Sequence, residues 1–227
     1  MNYRRIVPNS ISGFSLLLGV ISIFKSFEGN FFWAAVLIIL AILADACDGR
    51  AARLLKCQGE FGVQLDSLCD LGSFGVAPAI LIYQYALTDL GLWGQIIAGI
   101  YTFCGAMRLA RFNVNSSVVH GYFQGMPIPA GACFLATYVL SGFNFGSVLT
   151  AIFVLFVACL LYSNVKFPDC KSPNNLLGPL KLPPLILAIA LGAYMLWINV
   201  QGWQFTLMCV YTCAGVFNFF ISFLVND

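Results

Sequence analysis

Polar positions are rare along this chain and fall in clusters. Between them run long apolar stretches, at about 10–26, 31–52, 62–88, 91–112, 127–141, 146–163, 184–200 and 204–224. A helix that crosses a bilayer needs about 20 mostly apolar residues, so the pattern predicts about eight spanning helices. Residues 142–146, Gly-Phe-Asn-Phe-Gly, are the only separation between the fifth and sixth stretches, which are short. Pro127 and Pro129, then Pro183 and Pro184, fall near helix starts, where a missing N–H costs little. Pro78 falls inside the third stretch and is expected to kink it. The first stretch follows Arg4 and Arg5 but precedes no clear small-x-small cleavage site, so it reads as a retained helix rather than a signal peptide.

Composition agrees with the pattern. Of the 227 residues, 60% are hydrophobic and 9% charged, against about 25% charged in a soluble domain. Too few polar groups are present to coat a globule in water. A soluble enzyme, a disordered chain and a nucleic-acid-binding module are excluded, and a polytopic all-α membrane bundle remains. No internal repeat or long linker divides it, so residues 1–227 read as one membrane domain. The nine cysteines are scattered without metal-ligand spacing and read as small hydrophobes.

Charge placement adds an orientation. With eight crossings, ten of the eleven Lys and Arg residues fall on one side and only Lys25 on the other. The positive-inside rule then places both termini in the cytoplasm. Fusing the fifth and sixth stretches would spoil this split. The last pair, 184–224, is almost free of ionisable residues and reads as an accessory scaffold.

Four of the nine acids, Asp45, Asp48, Asp66 and Asp70, lie in one segment with Arg50, Arg53, Lys56 and Glu60. Asp45 and Asp48 are i, i+3 at the end of the second stretch. Gly62, Asp66 and Asp70 are i, i+4, i+8 and form one stripe at the start of the third. Gln58-Gly59 is a plausible break, with Gly59 as the C-terminal stop of the preceding helix. Folded as an antiparallel hairpin, the pair brings four carboxylates together near the cytoplasmic interface. Carboxylates that close repel one another unless cations lie between them, and hard divalent cations take oxygen ligands. Gly49, Ala52 and Gly62 would let a bulky ligand approach the backbone, and Arg53 and Lys56 add positive charge for a phosphate. The set points to metal-assisted phosphoryl transfer, with an ion pathway through a transporter or channel as the rival.

The same residues resemble a known signature. Asp45-x2-Asp48-Gly49-x2-Ala52-Arg53-x8-Gly62-x3-Asp66-x3-Asp70 is similar at every fixed position to that of the CDP-alcohol phosphotransferases. Leu65–Asp70, Ser73–Pro78, Arg108–Asn113, Phe123–Ala130 and Pro8-Asn9 resemble the integral-membrane bacterial and archaeal phosphatidylserine synthases within that family. Cys69 stands where Ala is common. The likeness covers about 1–170.

The resemblance implies a six-helix core, a homodimer, and a polar cavity open to the cytoplasm of the cell membrane. It implies transfer of the phosphatidyl group of CDP-diacylglycerol to L-serine, releasing CMP, with no nucleic acid partner beyond the cytidine nucleotide. Asp45, Asp48, Asp66 and Asp70 would hold two divalent metals, Mg²⁺ or Mn²⁺, with Ca²⁺ also compatible. Asp70 would serve as general base. Asn9, Gly49, Ala52, Arg53 and Gly62 would receive the CDP-lipid. Arg108 and Arg111, three apart on one face, suit a phosphate or the serine carboxylate, and Asn113 would help place serine. Within the same family, glycerol-3-phosphate or inositol acceptors stay open. Lys166 and Lys171 read as ordinary loop charges, and Glu60 and His120 carry no argued role.

Overall fold

The computed structural model describes residues 3–54, 59–115, 122–168, 202 and 205–213. Helix α1 (Tyr3–Phe27) is followed by α2 (Phe31–Leu54). A long helical run from Glu60 to Leu90 contains α3 (Glu60–Asp70), a π-helical turn at Leu71–Val76, α4 (Ala77–Ile82), a second π turn at Tyr83–Leu87 and a 3₁₀ turn at Thr88–Leu90. Then come α5 (Leu92–Asn115), β1 (Tyr122–Gln124), α6 (Ile128–Leu140), α7 (Ser147–Tyr162) and β2 (Lys166–Pro168). Residues 205–213 are helical within the last expected stretch, and 184–200 lies outside the described residues.

The first six expected stretches therefore each correspond to a helical run. Among the described residues, Val7–Phe27 and Glu60–Leu90 are long and apolar enough to cross a bilayer, while Ile128–Leu140 and Ser147–Tyr162 are apolar but shorter. Large apolar side chains lie on the outside, among them Phe14, Leu17, Phe24, Phe32, Trp93 and Ile152, while Ser12, Ser15, Ser22, Ser26 and Ser73 are buried. An apolar exterior over a partly polar interior suits a hydrocarbon solvent.

The α1–α2 hairpin shows how local chemistry sets the frame. Gly29, at φ 75°, ends α1: its N–H bonds Ser26 O, and the Asn30 N–H bonds Lys25 O, closing a Schellman motif. Asn30 Oδ1 then accepts from the Trp33 N–H and caps α2. Ser15 and Ser22, two turns apart on one face, donate to Ala41 O at 3.1 Å and Ala34 O at 2.8 Å. Both pairs share one antiparallel register. Extended toward the N-terminus, that register lays Asn9 beside the Asp45–Asp48 end of α2.

Helix α5 runs antiparallel to α3 and α4. Tyr101 OH donates to Phe74 O at 3.1 Å, Thr102 Oγ1 to Gly75 O at 3.2 Å, and Asn113 Nδ2 to Ser67 Oγ at 2.9 Å. Phe74 O is the carbonyl four residues before Pro78, which has no N–H to offer it. The sequence predicts a disruption at this proline. In the structure the chain stays helical through it, switching to π geometry just upstream, where the Ala77 N–H reaches back to Gly72 O. Tyr101 fills the gap from the neighbouring helix.

One expectation is corrected. Gly59 is not a left-handed stop for α2; it has extended backbone (φ −162°, ψ 156°) and serves as the N-cap of α3. The all-helical architecture carries one small addition, a pair of three-residue strands, β1 and β2, that run antiparallel with Phe123 opposite Phe167. The α6–α7 hairpin brings its own beginning and end side by side, and the flanking strands bond there. Gly142 and Gly146, at φ 68° and 79°, turn that hairpin, so α6 and α7 are two helices. Tyr138, Phe143, Phe145, Phe153 and Phe205 pack ring against ring around the turn, well away from the acids in sequence.

Candidate active site

The hairpin of α2 and α3 was expected to gather acids, and it does. Carboxylate oxygens of Asp45, Asp66 and Asp70 lie within 4.8 Å of one another, each side chain partly buried. Asp45 comes from the last turns of α2. Asp66 and Asp70 come from one face of α3, one turn apart, directly before the π turn. Asp48, Gly49, Ala52 and Arg53 continue α2 from Asp45, but their side chains lie outside the described residues.

Arg108 is 7% exposed and close enough to Asp70 and Asp45 to act on both charges. Its guanidinium also sits 5.4 Å over the Phe112 ring. Among the described residues, one cation near three carboxylates leaves excess negative charge in a partly buried place. Three hard oxygen donors this close suit a divalent cation, so this donor set fits the metal expected from the sequence.

Gly62 and Asn9, both expected at the lipid-nucleotide pocket, meet here: a Cβ on Gly62 would lie 3.6 Å from Asn9 Oδ1. The N-terminal part of α1 thus forms a wall beside α3. Asn113 faces Ser67, which also donates to Val63 O at 3.0 Å. Ser67 sits between Asp66 and Asp70 in sequence and was not singled out as a site residue. Its place in α3 was visible, but its partner lies 46 residues away, beyond any local pattern.

Arg111 goes elsewhere. It donates to Tyr162 O at 3.1 Å and Ser163 O at 2.9 Å, with its guanidinium 4.8 Å from the Tyr162 ring. The two arginines share a side of α5, yet one lies within the field of the acids and the other bonds the end of α7.

The sequence model for CDP-alcohol phosphatidyltransferases matches residues 5–217, nearly the whole chain. The chain belongs to the CDP-alcohol phosphatidyltransferase family. Among its relatives in this family, a CDP-diacylglycerol–serine O-phosphatidyltransferase of Helicobacter pylori is 32% identical, over 92% of this chain and 95% of the relative. One of the same name from Bacillus subtilis is 37% identical, over 75% of this chain and 93% of the relative. An archaetidylserine synthase of Methanothermobacter thermautotrophicus is 37% identical, over 71% and 69% respectively. The signature segment of this family member is where its carboxylates converge.

Proposed function

We propose that the protein is an integral membrane enzyme that transfers the phosphatidyl group of CDP-diacylglycerol to L-serine, giving phosphatidylserine and CMP. The observation that carries this reading is the convergence of Asp45, Asp66 and Asp70 within the family signature. The names of the relatives support serine as the acceptor. The apolar exterior and the two long apolar runs support a place in the membrane. The ten-to-one split of basic residues supports a cytoplasm-facing site, and the family resemblance supports a homodimer.

Asp45, Asp48, Asp66 and Asp70 would hold two divalent cations, Mg²⁺ or Mn²⁺. Bound there, such cations supply charge neutralisation for the diphosphate. Asp70 takes the proton of the serine hydroxyl. The freed oxygen attacks the lipid-side phosphorus, the bond from that phosphorus to the bridging oxygen breaks, and CMP leaves with the electron pair. Asn9, Gly62, Gly49, Ala52 and Arg53 form the pocket for the CDP moiety. Gly62 keeps the helix surface low beside Asn9, so a nucleotide can lie against it. Buried Arg108 binds a phosphate oxygen or the serine carboxylate, and Asn113 orients serine from the same helix.

The test is CMP release by purified protein in detergent, supplied with CDP-diacylglycerol and a panel of alcohols. Release is expected with serine and Mg²⁺ or Mn²⁺, and its loss with chelator. Asp70→Asn is expected to lower kcat by at least about 100-fold, the scale of general-base catalysis, while the protein stays folded. Release with glycerol-3-phosphate or inositol but not serine would overturn the acceptor. No release with any alcohol would overturn transferase activity and favour ion passage.

A further inference from the structure

Arg111 donates hydrogen bonds to the end of α7 and to the residue just beyond it. One arm of its fork donates to Tyr162 O and to Asn164 Oδ1, the other to Ser163 O. Tyr162 and Ser163 stand at the C-terminal end of α7, where backbone carbonyls run out of helical partners and the helix dipole is negative. A planar, always-charged fork suits that position. The Tyr162 ring lies under the guanidinium and fixes its plane.

The surroundings are built around this fork. Gly125 has φ 80°, and a Cβ there would come 2.7 Å from Arg111 Nη2, 2.5 Å from Leu161 O and 3.0 Å from Ser163 O. The Gly125 N–H bonds Val165 O at 2.8 Å and the Met126 N–H bonds Leu160 O at 2.9 Å. The end of α5, the lead into α6, the end of α7 and the β1–β2 pair therefore meet at one side chain.

On the same helix, Arg108 is buried near enough to Asp70 and Asp45 for their charges to act on it, and Asn113 bonds Ser67. At about 100° per residue, Asn113 points roughly opposite to Arg111, with Arg108 between them. Any rotation or slide of α5 that freed Arg111 would move both. We propose that Arg111 is a positioning residue and not a substrate ligand: by clamping the C-terminal carbonyls of α7 it sets the rotation and depth of α5, and so aims Arg108 at the carboxylates and Asn113 at Ser67. This rests on the reading of the carboxylate cluster as the reaction centre, though not on serine as the acceptor.

The experiment uses the full chain in detergent, CDP-diacylglycerol, Mg²⁺ and whichever alcohol the wild type consumes. Arg111→Lys and Arg111→Gln are expected to lower kcat by about 10- to 100-fold, the scale for a small misplacement of reacting groups. KM for CDP-diacylglycerol is expected to stay within about twofold, since no ground-state contact is lost. Gly125→Ala, which crowds the fork and also the Leu161 and Ser163 carbonyls from a left-handed backbone position, is expected to lower kcat likewise. A KM raised about tenfold with kcat kept would make Arg111 a substrate ligand and overturn the proposal. So would unchanged kinetics in both Arg111 variants. If Arg111→Gln does not fold, Arg111→Lys and Gly125→Ala decide the matter alone. Wild-type turnover with a different alcohol would sink serine specificity while leaving this test intact.

Discussion

Single side chains in this protein are placed by what their neighbours lack. Tyr101 is fully buried, and its hydroxyl serves the carbonyl that Pro78 leaves without a donor. Tyr101→Phe keeps the ring and removes that bond from a buried carbonyl that Pro78 cannot serve. The expected cost is about 1–3 kcal/mol, read as a lower thermal midpoint in detergent. An unchanged midpoint would show that the carbonyl finds another donor. The proline was legible in the sequence as a point of disruption; its remedy was not, because a tyrosine in the middle of the next apolar run carries no mark of its partner. The acids were legible for the opposite reason. Charge in an apolar chain is costly, so its clustering needs no neighbour to be noticed. Arg108 and Arg111 show the limit of helical periodicity. Three residues apart, they were read as one pair with one task, but about 60° of arc is enough to send one to the acids and the other to α7.

At the scale of elements, the decisive contact is between α1 and the π turn that follows Asp70. A Cβ on Gly19 would come 2.7 Å from Ser73 Cα and 3.0 Å from Ser73 Oγ, so the two backbones touch. Backbone cannot step aside as a side-chain tip can. Gly19→Val is therefore expected to destabilise by about 1–3 kcal/mol through overpacking, and to lower activity by pushing α3 and its acids away from α1. Gly99 sits in α5 where an added Cβ would meet nothing within 4 Å, and is the control. Gly99→Ala is expected to hold or raise the thermal midpoint, as alanine favours helix. Equal losses in the two variants would refute the contact argument. The π turn itself was not legible. The sequence there is ordinary for an apolar helix, and the extra residue per turn follows from packing against α1 and α5 around Pro78.

At the scale of the molecule, the order of the first six helical runs followed from hydropathy. The orientation across the membrane rests on the basic residues and has its own test. The exposed Glu28–Asn30 turn joins α1 and α2 beside Lys25, the one base assigned to the far side. A peptide tag inserted after Gly29 is expected to be reached by an impermeant protease in intact cells, and a tag on Met1 only after permeabilisation. The reverse result would invert the topology and put the carboxylates outside. The sequence by itself determined the apolar character, the first six helical runs and the acidic signature, since these depend on composition, on periodicity and on residues close together in the chain. Only the tertiary structure decided that Asn9 meets Gly62, that Ser67 faces Asn113, that Tyr101 relieves Pro78 and that Arg111 holds α7. Each of these joins residues far apart in sequence, and such pairs are chosen by the register in which whole helices pack, a quantity that no local stretch of sequence contains.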